Sequence, residues 1–255
     1  MSGSRRIRQK NRWIADTVAW DAVPPSYWEK EGNAMPKYRM LFSKTGRIIY
    51  ISHLDLIRTL QRSFLRADCP VSYSQGFNPH PKFSIALPLS VGIESLCEIL
   101  SFSAEEPLDL PTLPEELTKY MPEGLKVRSV YEPHTKISDL KWIELQGRLF
   151  YENRDTTSEA EKLHTLFSDP SRELVVEKKG KRGLTEFSLW QGLKNIEFAP
   201  DEGMVRVAMR VSAQQPTFNP YLLTEAIKKY GPDSEPDFAK FIRMEIFDFQ
   251  GNIFR

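Results

Sequence analysis

Residues 38–66, YRMLFSKTGRIIYISHLDLIRTLQRSFLR, decide the fold, because a strand, a turn and a helix start follow one another there. The alternation of Tyr38–Ser43 predicts a β-strand, and residues 44–46 predict a turn that leads into strand-like residues 47–51. Ser52 followed three residues later by Asp55 resembles a capping box and predicts a helix start. The helix is expected to bury one apolar face, made of Leu54, Ile57, Leu60, Phe64 and Leu65.

The rest of the chain repeats this order of elements. Strand-like residues 83–90 and 96–103, a short helix at 114–121 and a strand at 125–131 complete a first series. A second series of the same kind runs from residue 142 to residue 248. Two successive βαββαβ units predict an α+β fold of two ferredoxin-like sandwich domains in tandem. We expect an N-terminal extension at 1–36, a first domain at 37–136 and a second domain at 137–255.

The composition excludes several classes of protein. The chain has 255 residues, of which 40% are hydrophobic and 27% charged, and this is typical of a globular protein with a core. No run of about 18 apolar residues is present, so we expect a soluble, cytoplasmic protein without a membrane helix. The two cysteines and four scattered histidines have no metal-ligand spacing, and nucleotide-binding and serine-hydrolase motifs are missing. The sequence therefore predicts no cofactor or metal of its own.

The N-terminal extension is basic and aromatic. Five basic residues and no acidic one occur in residues 1–12, and Trp13, Trp20 and Trp28 follow. A segment this rich in tryptophan is expected to dock, either on its own domain or on a partner protein.

Basic residues are concentrated where the first domain begins. Residues 37–82 hold eight basic and two acidic residues, whereas residues 83–123 hold one basic and eight acidic residues. On the predicted helix, Arg58, Arg62 and Arg66 recur every four residues and so share the face opposite the apolar one. Such a stripe suits successive phosphates of a nucleic acid, with Lys44, Arg47 and Lys82 as further phosphate ligands. The alternative is a solvated helix face that pairs with acidic residues from elsewhere.

The loop SQGFNPHPK at residues 74–82 favours binding. Two prolines fix its backbone, and Gly76 permits a positive φ. Phe77 offers a ring for stacking, while Gln75, Asn78 and His80 offer polar groups for bases or sugars. The alternative is a structural turn with Phe77 in the core.

Histidines suggest a second possibility. His53 lies at the first turn of the arginine helix, where the helix dipole is expected to lower its pKa. His53 and His80 could act as base and acid on a ribose 2′-hydroxyl, or could serve as hydrogen-bonding fixtures. The leading prediction assigns no catalytic residue.

The segment from Tyr38 to Ser95 resembles the bacterial radical-SAM-linked protein family, a domain of unknown function next to or fused with cobalamin-type radical SAM proteins. The matching pieces are SHLD at residues 52–55, Arg58, and SQGFNPHPK at residues 74–82, with looser similarity through Asn219–Pro220. The resemblance implies a separately encoded radical SAM partner, of cobalamin type, rather than an activity. A fainter, fold-level similarity links the first unit to the RNA-processing endonucleases of CRISPR systems.

Three hypotheses follow. The first is an accessory RNA-binding protein that presents a structured RNA, such as transfer or ribosomal RNA, to a radical SAM enzyme for modification. The second is a metal-independent RNA endonuclease that uses a histidine. The third is a protein–protein assembly factor that binds no RNA.

Overall fold

The first strand, β1 (Lys37–Lys44), is buried along almost its whole length. It belongs to a computed structural model that describes residues 35–180 and 183–255. The first half of this chain continues with α1 (His53–Arg66), β2 (Ser84–Ile85), β3 (Glu94–Ser103), α2 (Leu113–Lys119) and β4 (Leu125–Tyr131). The second half contains β5 (Leu140–Phe150), α3 (Thr156–Phe167), β6 (Val175–Gly180), β7 (Gly183–Ser188), β8 (Leu193–Asp201), β9 (Met204–Ser212), α4 (Tyr221–Tyr230) and β10 (Phe238–Asp248).

Both halves contribute to one sheet of eight strands. The order is β4-β1-β3-β10-β5-β9-β8, with β2 paired to β3, while β6 and β7 form a separate hairpin. All pairs are antiparallel except β3 and β10, which run parallel where Ile242 and Arg243 meet Glu94 and Ser95. The predicted α+β class is therefore confirmed as a mostly antiparallel sheet with four helices.

Two apolar clusters stabilise this sheet from opposite sides of its first strands. Met40, Phe42 and Phe64 belong to a cluster between the first-half sheet and its helices. Leu41 and Ile99, which face the other way, belong to the larger cluster with residues of the second half. Since β1 and β3 are covered on both faces, residues 35–255 form one compact unit.

Three local predictions are wrong for identifiable reasons. Residues 46–50 form a 3₁₀ turn rather than a strand, because β3 and β4 already occupy both edges of β1. Of residues 83–90, only Ser84–Ile85 pair with the sheet. Leu54 and Leu65 are exposed by 50% and 66%, because the buried face of α1 consists of Leu56, Leu60, Ser63 and Phe64.

Both cysteines are free and buried. Burial raises the pKa of Cys69 to about 11 and that of Cys97 to about 12, which keeps both thiols protonated at neutral pH. Within the described residues, no helix combines the length and apolar character that crossing a bilayer requires.

Candidate nucleic-acid interface

The start of α1 is fixed by its cap. Ser52 Oγ accepts a hydrogen bond from the backbone N–H of Asp55 at 3.1 Å and donates one to Asp55 Oδ2 at 2.7 Å. The capping-box prediction is therefore confirmed in its serine half. This cap fixes where α1 begins, and the burial of Leu56, Leu60 and Phe64 leaves the opposite face of the helix to solvent.

The arginine stripe lies on the outer face of α1. Arg58, Arg62 and Arg66 are all exposed, opposite the face that packs on the core. Arg58 Nη1 contacts Asp55 Oδ1 at 3.2 Å, in a pair with both side chains more than half exposed. Such an exposed pair contributes little to stability. Arg62 and Arg66 form no ion pair with any residue in the described ranges.

The loop at residues 74–82 is held closed at its base. The Ser74 N–H donates to the His80 carbonyl at 2.8 Å, and the Lys82 N–H donates to the Ser72 carbonyl at 3.1 Å. Ser74 Oγ accepts from the His80 N–H at 3.1 Å and lies 3.0 Å from His80 Nδ1. Gly76 has a φ of +142°, in the region that favours glycine. The tip is thus a defined turn presented by a hydrogen-bonded neck.

The side chains at the tip of this loop are exposed. Phe77 has a relative exposure of 106%, so the alternative in which its ring enters the core does not apply. Gln75, Asn78 and His80 are also exposed, and Lys82 is half-buried. A fully exposed ring can stack on an unpaired base, because every base offers an aromatic face.

The helix and the loop are anchored on the same core. Phe64 of α1 packs edge-on against Phe83, directly after Lys82, with ring centroids 4.8 Å apart. Val71, just before the loop, lies in the same cluster as Phe64. The two predicted RNA-binding elements are therefore attached to one rigid support.

Lys44 is buried, whereas Arg47 is exposed. Arg47 is exposed on the 3₁₀ turn. Lys44 is only 2% exposed, and its Nζ donates to the Ile49 carbonyl at 3.1 Å. The prediction that Lys44 holds a phosphate at the surface needs correction, because β1 turns this side chain into the interior.

Lys44 belongs to a buried charge cluster that sequence reasoning missed. Arg243 Nη1 contacts Glu98 Oε1 at 2.7 Å and also donates to the Leu87 carbonyl at 2.9 Å. Burial lowers the pKa of Lys44, while the charge of Glu98 opposes that shift. The sequence did contain a signal for this pair. Glu98 is the single acidic residue in the apolar run LCEILSF, and Arg243 is the single basic residue in FIRMEIF. A charged residue inside an apolar strand predicts a buried partner of opposite charge.

His53 begins α1 near this cluster. Burial lowers the pKa of His53, whereas the charge of Glu98 acts in the opposite direction. The predicted direction of the shift is therefore confirmed, and burial is its largest cause. A neutral imidazole at pH 7 can accept a proton or a hydrogen bond.

The predicted docking residues Trp13, Trp20 and Trp28 lie outside the described residues. Within the described ranges, no group of three or more His, Cys, Asp or Glu side chains is placed to hold a metal ion.

Comparison with known proteins identifies the family. A family model described as "Uncharacterized protein conserved in bacteria (DUF2344)" matches residues 37–220. Because the match covers most of the chain, the chain belongs to this family. No curated protein matches the chain.

Similar solved structures are remote. A chain in a Cbf5–Nop10–Gar1 complex is 10% identical with a TM-score of 0.43; the match covers 82% of this chain and 48% of that one. An unknown protein from Galdieria sulphuraria (12% identity, TM-score 0.25) is matched over 82% of this chain and 98% of its own. The encapsulated DyP-type peroxidase from Mycobacterium smegmatis is 11% identical with a TM-score of 0.22, and the match covers 82% of this chain and 90% of that one. This chain spans about half of the first of these, and no TM-score reaches 0.5, so no functional conclusion follows.

Proposed function

We propose that this member of the DUF2344 family is an accessory RNA-binding protein that works with a radical SAM enzyme in RNA modification. The proposal is carried by an exposed arginine stripe on α1 and a fully exposed phenylalanine on a braced loop, because Phe64 of α1 packs against Phe83 at the end of that loop. Cations that face solvent suit phosphates, and an exposed ring suits an unstacked base.

The proposed interface has two parts with different tasks. Arg47, Arg58, Arg62 and Arg66 contact phosphates, and Lys82 supports them from the end of the loop. Phe77 stacks on a base, while Gln75, Asn78 and His80 contact base edges or sugars. Lys44 is left out of this set because it is buried.

The proposal also treats each half of the sheet as one ferredoxin-like unit. In the first half the strands lie in the order β4-β1-β3-β2, and in the second half in the order β10-β5-β9-β8. Both are the order fourth, first, third, second, which supports this assignment.

The radical SAM partner, of cobalamin type, rests on the resemblance carried by residues 52–58 and 74–82. The basic, tryptophan-containing segment 1–36 is proposed as its docking element. Co-purification of the two proteins, and its loss when residues 1–36 are deleted, tests this part of the proposal separately from RNA binding.

Salt-dependent RNA binding tests the main proposal. The full chain is titrated with fluorescent transfer RNA and with a ribosomal hairpin from 50 to 300 mM KCl, and each phosphate contact contributes about 0.7–0.9 to the log–log slope. We expect a slope of about −3 or steeper. The variant Arg58→Gln/Arg62→Gln/Arg66→Gln should flatten the slope by about two.

The matched control variant also removes three positive charges, but from strands β4 and β5 instead of α1. Lys126, Arg128 and Arg148 are exposed strand residues, so Lys126→Gln/Arg128→Gln/Arg148→Gln should leave the slope nearly unchanged. An affinity that hardly responds to salt, or an equal loss in both triple variants, would contradict the proposed interface.

A second function is favoured by the lowered pKa of His53, which suits a general base. A metal-independent endonuclease would cleave RNA in EDTA and lose this activity in His53→Gln or His80→Gln. Intact RNA after long incubation would rule out the endonuclease hypothesis.

The assembly-factor hypothesis would be favoured by tight partner binding without any RNA retention. Exposed Leu54 and Leu65, on the same helix as the arginines, offer apolar contacts for such a partner.

A further inference from the structure

A cavity lies between the two halves of the molecule, away from the arginine stripe. Its volume is about 270 Å³, and Leu87, Ile93, Ile143, Leu145 and Phe218 form apolar walls from both halves. Ligand pockets typically measure about 300–1,000 Å³, so this cavity suits a compact molecule with one ring or a short branched chain.

One buried cation lines this cavity. Arg243 is 5% exposed, and although its Nη1 is engaged by Glu98 and Leu87, its Nε has no hydrogen-bond partner among the described residues. Buried guanidinium N–H groups are costly to leave unpaired. Because Nε is itself inaccessible, a ligand in the cavity would reach the guanidinium through Nη2, which forms no hydrogen bond within the described ranges.

The charges around Arg243 do not cancel. Lys44 and Arg243 are two buried cations, and both interact with the single carboxylate of Glu98. One positive charge is left over in the interior at the junction of the halves. A monoanion in the cavity would balance this charge, whereas a neutral or cationic molecule would not.

The remaining polar lining suits an oxygen-rich head group. Asn219 lines the cavity, and its Oδ1 accepts the Tyr221 N–H at 3.1 Å, which leaves the side-chain NH₂ as the donor. A planar carboxylate accepts hydrogen bonds from guanidinium and amide groups alike.

We propose that the cavity between the halves binds a small carboxylate with a compact apolar body, whose head group contacts Arg243. This site is separate from the RNA interface and would couple a small-molecule ligand to the junction that holds the halves together. No covalent step is involved.

Matched probes test this proposal on the full chain. Benzoate and benzamide have the same ring and differ in the charge of the head group, and benzylamine carries the opposite charge. Ligand-observed NMR titration should give a dissociation constant for benzoate at least tenfold below that of benzamide, with no benzylamine binding. Equal affinities for benzoate and benzamide, a preference for benzylamine, or no benzoate binding at all would overturn the proposal.

A cavity-filling variant locates the binding. Ala86 lines the cavity and is half-buried, so Ala86→Phe occupies part of the space without touching the charges. Benzoate affinity should fall at least tenfold in this variant, and full retention would place the binding elsewhere and overturn the proposal. If circular dichroism shows that Ala86→Phe does not fold, Thr217→Trp at the exposed rim makes the same test.

Discussion

Substitution of Phe77 should weaken RNA binding without changing the stability of the fold. Its ring is fully exposed and has no core contacts to lose, so Phe77→Ala should change the free energy of unfolding by less than about 0.5 kcal/mol. Stacking on a base is worth about 1–3 kcal/mol, so RNA affinity should fall by about tenfold.

The control for Phe77 is another exposed phenylalanine. Phe249 is 65% exposed and lies at the end of β10, far along the chain from the loop. Phe249→Ala should leave RNA affinity unchanged in the same fluorescence titration. If the two variants bind RNA equally well, Phe77 has no stacking role.

His53 gives the stability a defined pH dependence. Its folded-state pKa is lowered, so between that pKa and the unfolded value the unfolded chain binds more protons. Its contribution is therefore fully present above the unfolded pKa of about 6.5 and is lost as the pH falls through the folded pKa. Urea unfolding at pH 7.5 and 5.5 should show a larger loss of stability for the wild type than for His53→Gln, and identical losses would refute this role.

At the scale of the element, the cap of α1 stabilises the helix that carries the arginines. Ser52→Ala removes the bond to the Asp55 N–H and should cost about 1 kcal/mol in the free energy of unfolding. Ser52→Asn keeps a capping side chain and should restore most of this loss. A neutral Ser52→Ala in chemical denaturation would show that the helix start does not depend on its cap.

Elements were predictable where the local pattern alone determined them. The alternation of residues 125–131 located β4 correctly to the residue, and the serine cap located α1. Residues 47–51 are just as strand-like, yet no free sheet edge was left for them. The strand β8 was missed, because its mostly exposed residues, including Pro200, carry no clear apolar alternation.

The candidate site was predictable in the same uneven way. The helix spacing correctly placed Arg58, Arg62 and Arg66 on the solvent side, and Gly76 marked a positive φ. Lys44 was misplaced, since its burial depends on the strands that flank β1. The Glu98–Arg243 pair joins residues 145 positions apart, and such a contact follows from sheet order rather than from local sequence.

For the whole molecule, the parallel contact between β3 and β10 makes the halves depend on each other. Leu41 and Ile99 of the first half lie in the same apolar cluster as the second half. Residues 35–136 alone would expose this face and leave Lys44 and Glu98 without Arg243.

We therefore expect the fragment 35–136 to lack a cooperative thermal transition, while residues 35–255 unfold in one step. Circular dichroism melts of the two polypeptides check this. A fragment that melts cooperatively at a temperature similar to that of the longer chain would show that the first half is an independent domain.

Ultraviolet cross-linking of bound transfer RNA, followed by mass spectrometry of the digested protein, tests the central claim most directly. If the arginine helix and the braced loop form one RNA-binding surface, cross-linked nucleotides should appear on peptides from both residues 53–66 and residues 74–82, and Phe77→Ala should remove those on the loop. Cross-links confined to the second half, or to only one of these two elements, would contradict a shared surface.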